Sequence, residues 1–180
     1  GHEYECHARP GSGNLQILER LLNQLDTVTA RDLVVVGWTW IDRFDYYNPH
    51  YNPRTSLTPW STIMPIDQDE TARVYYRDLH SEYRDKFTSL TYIKLAVDSL
   101  EQRGIPYIMT YMDDLTFDSK YHAPPGIMDL QNYVRPYMTK FDDKNFLEWS
   151  QSKGYAISDT LHPLEEAHKS AFELIKNINF

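Results

Sequence analysis

The sequence predicts an α/β fold of three layers, with helices on both sides of a parallel sheet. Two observations carry that prediction. Strand-like and helix-like segments alternate along the chain, which is the pattern of parallel strands joined by helical crossovers. Residues 33–36 form an apolar run, β-branched from Val34 to Val36 and free of polar interruption, as in a strand covered on both faces.

The elements follow in order. Alternation of His2, Tyr4 and Cys6 with Glu3, Glu5 and His7 predicts a short strand over 2–8. The turn Arg9-Pro10-Gly11-Ser12-Gly13-Asn14 comes next, and Leu15, Leu18, Leu22 and Leu25 mark one helical face. With the strand at 33–36 this makes a βαβ unit with a right-handed crossover. Residues 38–66 are rich in Trp, Tyr and Pro and are expected as a long functional loop or lid. A helix is expected over 67–103, with Phe87, Leu90, Ile93, Val97 and Leu100 on its apolar face and Gly104 as its stop. Residues 105–112 read as the next strand and 113–139 as irregular chain. Asp142 is expected to cap a helix through Lys153 that Gly154 ends. A short strand at 155–157 and a loop at 158–162 lead to a final helix from Pro163, with Leu164, Ala167, Ala171, Leu174 and Ile178 on its stripe. No repeat or linker divides the chain, so 1–180 reads as one domain.

Composition narrows the function classes. The 180 residues carry 18 Lys and Arg against 26 Asp and Glu, a net charge of −8, which repels phosphate backbones and argues against a nucleic-acid partner. No apolar run approaches the ~20 residues a bilayer needs, so no membrane span is expected. Cys6 is the single cysteine and excludes an internal disulfide. With no secretory apolar stretch near the start, the expectation is a soluble protein, cytoplasmic rather than secreted.

Ligands of open parallel sheets bind beyond the carboxyl ends of the strands. The polar residues following each expected strand are Ser12, Gly13 and Asn14; Trp38, Thr39 and Trp40; Asp113 and Asp114; and Asp159 with His162. Asp159-Thr160-Leu161-His162-Pro163 carries the strongest chemistry. An Asp three residues before a His can hold the ring's Nδ1–H and leave Nε2 free as a base toward a hydroxyl. The competing role for both residues is capping of the final helix.

These segments resemble the SGNH/GDSL hydrolases, a family of flavodoxin-like αβα ester hydrolases with a Ser nucleophile, a His base and an Asp. Asp159-x-x-His162-Pro163 before an Ala-containing helix resembles the family's last motif. Gly11-Ser12-Gly13-Asn14 before a Leu-rich helix resembles its second motif, and Val34-Val35-Val36-Gly37-Trp38-Thr39-Trp40 its third. The resemblance implies His162 as base, Asp159 as its partner, Gly13 and Thr39 as oxyanion donors, and Asn14, Trp38 and Trp40 as substrate contacts. Thr39 stands where the family has Asn. It implies no cofactor and no metal, and a small-molecule or glycan ester, acyl or acetyl, as substrate. The family's Gly-Asp-Ser motif has no counterpart in these residues. The expectation is therefore a flavodoxin-like sheet lacking its first strand, in an N-terminally truncated domain, with the exposed sheet edges covered in a homodimer.

Other readings stay open at this point. Ser12 is an alternative nucleophile or simply part of the turn. Tyr111-Met112-Asp113-Asp114 spells a polymerase tetrapeptide, but the chain is short and acidic. Asp113, Asp114 and Asp159 are the ligands of an alternative metal-dependent phosphoesterase. His2, Cys6 and His7 are poor metal ligands together, since His7 and Cys6 face opposite sides of a strand. The aromatic cluster from Trp38 to Trp60 fits either a carbohydrate- or peptide-binding module or a satellite core. Arg43 and Asp42 are expected to pair locally.

Overall fold

The computed structural model describes residues 3–54 and 58–176. His2 and Ile178, assigned above to a strand and a helix, lie outside them.

The structure is mixed α/β with a small parallel sheet. Helix α1 (Asn14–Gln24) precedes β1 (Val34–Trp38), and β4 (Tyr107–Tyr111) pairs with β1 in parallel, Val34 opposite Tyr107 and Trp38 opposite Tyr111. Between them come β2 (Phe44–Tyr47), β3 (Trp60–Ile63), α2 (Glu70–Val74) and α3 (Glu82–Arg103). After β4 follow α4 (Ile127–Val134), α5 (Phe146–Ser152) and α6 (Glu165–Ile175).

One face of the β1–β4 pair holds the main core. Val36, Trp38, Met109 and Tyr111 pack there against Leu18, Leu21 and Leu25 of α1, Leu90, Ile93, Val97 and Leu100 of α3, and Ile127 and Val134 of α4. Burial of such side chains contributes about 1.5–3 kcal/mol each. Leu22, expected on the same face of α1, is exposed instead. Gly104 ends α3 in the left-handed region (φ 61°), and its amide bonds back into the last turn.

β1 is covered on one face, not two as the apolar run suggests: Val35 is 60% exposed. The Val34 amide donates to Pro106 O and the Trp38 carbonyl accepts from Met112 N, both toward the β4 side. The main-chain groups of Val35 and Gly37 therefore point to an open edge. The expected strand over 2–8 is not formed among its described residues; residues 3–8 are irregular and exposed and pair with neither sheet. The expected strand at 155–157 reduces to one antiparallel bridge, Ile157 to Pro163. It returns on its own turn and does not extend the parallel sheet. Instead, residues 138–139 run beside β4, joined by a parallel bridge from Met138 to Met109 and a bond from Thr139 N to Met109 O.

The expected loop at 38–66 contains an antiparallel hairpin, β2–β3, with Phe44 opposite Ile63 and Tyr47 opposite Trp60. Its aromatics build a second core: Phe44 stacks on Tyr75 at 4.1 Å between ring centres, and Ile63 and Ala72 close it. The helix expected over 67–103 is broken. A π-helical turn (Tyr75–Leu79) ends at extended His80, and Ser81 restarts the chain as the N-cap of α3. Asn145, not Asp142, caps α5, in a reciprocal capping box with Glu148. Asp142 sits at positive φ and pairs with Lys153. On α6, Ala167 and Ala171 are buried, while Leu164 and Leu174 stay exposed.

Candidate functional site

The glycine turn begins α1 at the carboxyl end of β1. The N-cap of α1 is Gly13, which has no side chain to satisfy the first amides. Asp45 supplies the missing cap from β2. Its Oδ1 accepts from Gly13 N and its Oδ2 from Gln16 N, both at 2.9 Å. Oδ1 also accepts from Gln16 Nε2 at 2.9 Å and Thr62 Oγ1 at 2.6 Å, so the buried carboxylate is saturated with neutral donors. The Gly13 amide, expected as an oxyanion donor, is thus engaged by Asp45. This is a correction with a simple cause, because the positive end of the helix attracts the nearest carboxylate.

Asn14 and Thr39 are brought together as the motif order predicts. Thr39 N donates to Asn14 Oδ1 at 2.9 Å, and Asn14 Nδ2 donates to Thr39 O at 3.3 Å and Ser89 Oγ at 3.1 Å. The Asn14 side chain is buried and its amide group is spent on this clamp, so it positions main chain and does not reach a ligand. The Thr39 side chain makes no hydrogen bond among the described residues and is half-buried, which leaves a hydroxyl donor beyond the end of β1.

Trp38 is 1% exposed and belongs to the main core, so it is not a stacking surface for substrate. Trp40 is half-buried and makes no ring contact among the described residues. Ser12 is buried, donates to Arg9 O at 3.1 Å and accepts from Arg20 Nη2 at 2.6 Å. That environment holds the hydroxyl in the turn and does not present it as a nucleophile.

His162 and Asp159 are both exposed and do not pair with each other. Nδ1 of His162 lies 3.0 Å from Thr160 Oγ1, which is 3.1 Å from Ser158 Oγ. The turn explains this. Leu161 takes positive φ, Ser158 N donates to His162 O, and His162 N donates to Ser158 Oγ, which leaves Thr160 beside the ring. Nε2 of His162 has no partner among the described residues. No contact joins His162 to Asn14 or Thr39 there either.

The ligand set of the metal alternative is diverted to caps. Asp113 accepts from Ile41 N (2.9 Å) and Leu115 N (3.0 Å), and Asp114 is bonded by Asn145 Nδ2. Burial pushes the Asp113 carboxyl above its ordinary range, against the pull of those two amides. No cluster of three or more His, Cys, Asp or Glu fit for a metal occurs among the described residues.

A cavity of about 50 Å³ lies beside the Asn14–Thr39 clamp, lined by Asn14, Arg43, Asp45, Arg84, Asp85 and Ser89 among others. It has room for a few water-sized groups, far below a drug-sized pocket. The sequence reading missed most of its wall. Arg43 does not pair with Asp42; its Nη1 donates to Ser12 O at 3.1 Å. Buried Asp85 lies 2.9 Å from His80 Nε2, an ion pair when the ring is protonated, and 3.3 Å from Arg84 Nη1. Burial raises the Asp85 carboxyl, and His80 and Arg84 oppose that rise. The signal for Arg43 and Asp45 lay in their spacing of two, which puts both on one side of an extended segment.

No protein-family model matches the chain, and neither does any curated protein or solved structure. No helix among the described residues is long and apolar enough to cross a membrane.

Proposed function

We propose that the protein is an ester hydrolase of the SGNH type, acting on a short acyl or acetyl ester of a small molecule or glycan. The observation that carries this reading is the clamp of Asn14 on the Thr39 main chain, with the Thr39 hydroxyl left free beyond β1. It joins the second- and third-motif segments at one point, as the resemblance requires, at the strand end where α/β sheets take ligands.

In this reading Thr39 donates to the developing oxyanion, in place of the family's Asn. His162 takes the proton of a serine through its free Nε2, and Thr160 rather than Asp159 holds Nδ1. The serine adds to the ester carbonyl and the alcohol leaves with the proton from His162. Water then adds to the acyl-serine, and the acid leaves as serine regains its proton. Ser12 is held in its turn and is not the serine of this reading; a strand carrying that serine would pair with the open edge of β1 in a three-layer, flavodoxin-like sheet.

The test is turnover of p-nitrophenyl acetate by the full-length gene product. The reading expects saturable hydrolysis that His162→Ala abolishes. Absence of hydrolysis, or unchanged turnover in the variant, would reject it.

A further inference from the structure

We propose that the cavity beside Asn14 binds a small oxyanion, a carboxylate or phosphate group, with Arg43 as its principal cation. A guanidinium carries five N–H donors. Among the described residues Arg43 spends one of them, on Ser12 O, and Nε is buried without a partner. No carboxylate there lies within ion-pair distance of Arg43. A half-buried guanidinium in this state is costly, and a planar, acceptor-only ligand is its natural complement.

The neighbouring acids are already committed. Asp45 is saturated by Gly13, Gln16 and Thr62, and Asp85 is shared between His80 and Arg84. Desolvation raises the Asp42 carboxyl and Arg43 opposes that rise, though Asp42 lies beyond ion-pair distance of it. Arg84 lines the same cavity, its guanidinium 5.0 Å from the Phe44 ring centre, but it is paired with Asp85, which leaves Arg43 as the cation of that wall without an ion pair among the described residues. Thr88 and Ser89 also line it from one turn of α3, but the Thr88 hydroxyl donates to Arg84 O at 2.8 Å. Ser89 accepts from Asn14, and its own O–H has no acceptor among the described residues. The space of about 50 Å³ suits the oxygen-bearing end of a ligand and not a sugar ring. The site stands whether or not the protein hydrolyses esters, because its evidence is an arginine short of acceptors.

The experiment is an NMR titration of the full-length protein with sodium acetate and, separately, inorganic phosphate, at ionic strength held constant with sodium chloride. The readouts are the Arg43 Nε–H and Asn14 side-chain amide resonances. The expected result is a saturable shift of both, with affinity at least about tenfold weaker in Arg43→Gln and intermediate in Arg43→Lys. Saturation by phosphate alone assigns a phosphoryl group, and saturation by acetate assigns a carboxylate. Shifts that grow linearly with both anions in the unsubstituted protein would overturn the proposal, and that arm does not depend on a variant folding. Equal affinity in a folded Arg43→Gln variant would overturn it too.

Discussion

The carboxylate of Asp45 occupies the space that a side chain on Gly13 would fill. A Cβ built at Gly13 would lie 2.6 Å from Asp45 Oδ2, and the Gly13 amide donates to Oδ1 at 2.9 Å. Helix α1 thus begins on a glycine because its cap comes from a strand 32 positions later. Asp45→Ala is expected to cost about 2–4 kcal/mol, since two amides and two side-chain donors lose their acceptor. Gly13→Ala should cost about 1–3 kcal/mol by displacing the carboxylate. In the Asp45→Ala background the same change should cost under about 1 kcal/mol. Urea unfolding of the four proteins measures the cycle, and strict additivity would refute the shared contact.

Asp113 gives a pH dependence with a definite sign. Burial raises its folded-state pKa above the ordinary value. The folded chain then holds the proton more tightly than the unfolded one. The contribution is fully present below the unfolded pKa and is lost as pH rises through the raised folded value. Asp113→Asn removes the titration. The stability gap in favour of the unsubstituted protein should therefore widen as pH falls from neutral toward the ordinary aspartate range. Denaturant unfolding of both proteins across that range would read it, and a gap that narrows on acidification would contradict the assignment.

Trp38 is expected to act through packing alone. Trp38→Ala should lower stability by about 3–5 kcal/mol, with a large fall in the urea midpoint. Trp40→Ala, at a half-buried ring, should cost much less. Similar losses at both positions would contradict the separation of core from surface.

The turn before α6 assigns the orientation of His162 to Thr160. Thr160→Val should lower ester turnover by about tenfold, the loss of one neutral hydrogen bond. Asp159→Asn should stay within about twofold. The opposite ranking in steady-state kinetics would restore the carboxylate as the partner.

Helices α1 and α3 and the strands β1 and β4 were legible because their signals are local, whereas α4 lies in the stretch 113–139 that reads as irregular chain. The leucines of α1, the face of α3 from Leu90 to Leu100, the β-branched run of β1 and the stop at Gly104 each act within a few turns of chain. Asn14 and Thr39 are expected at one end of the sheet, but as ligand contacts and not as partners of each other. What escaped depends on distant pairing. Period-two residues at 3–8 stay irregular and pair with no strand, and residues 155–157 close on Pro163. The aromatic cluster from Trp38 to Trp60 fits either a binding surface or a satellite core, and stacking of Phe44 on Tyr75 places Phe44 and Tyr46 in a core. The pairings of Asp45 and Asp85 carry no sequence signal, because their partners Gly13 and His80 meet them only after folding.

The account rests most heavily on the free hydroxyl of Thr39, and substitution at that atom tests it most directly. Thr39→Val keeps the shape and removes the donor, whereas Thr39→Ser keeps the donor; the Asn14 clamp holds main-chain atoms and survives both. The measurement is kcat and KM for p-nitrophenyl acetate in the full-length gene product. The account predicts that Thr39→Val lowers kcat by about a hundredfold with KM little changed, and that Thr39→Ser stays within a few-fold. Equal kcat in Thr39→Val and the unsubstituted protein would contradict it.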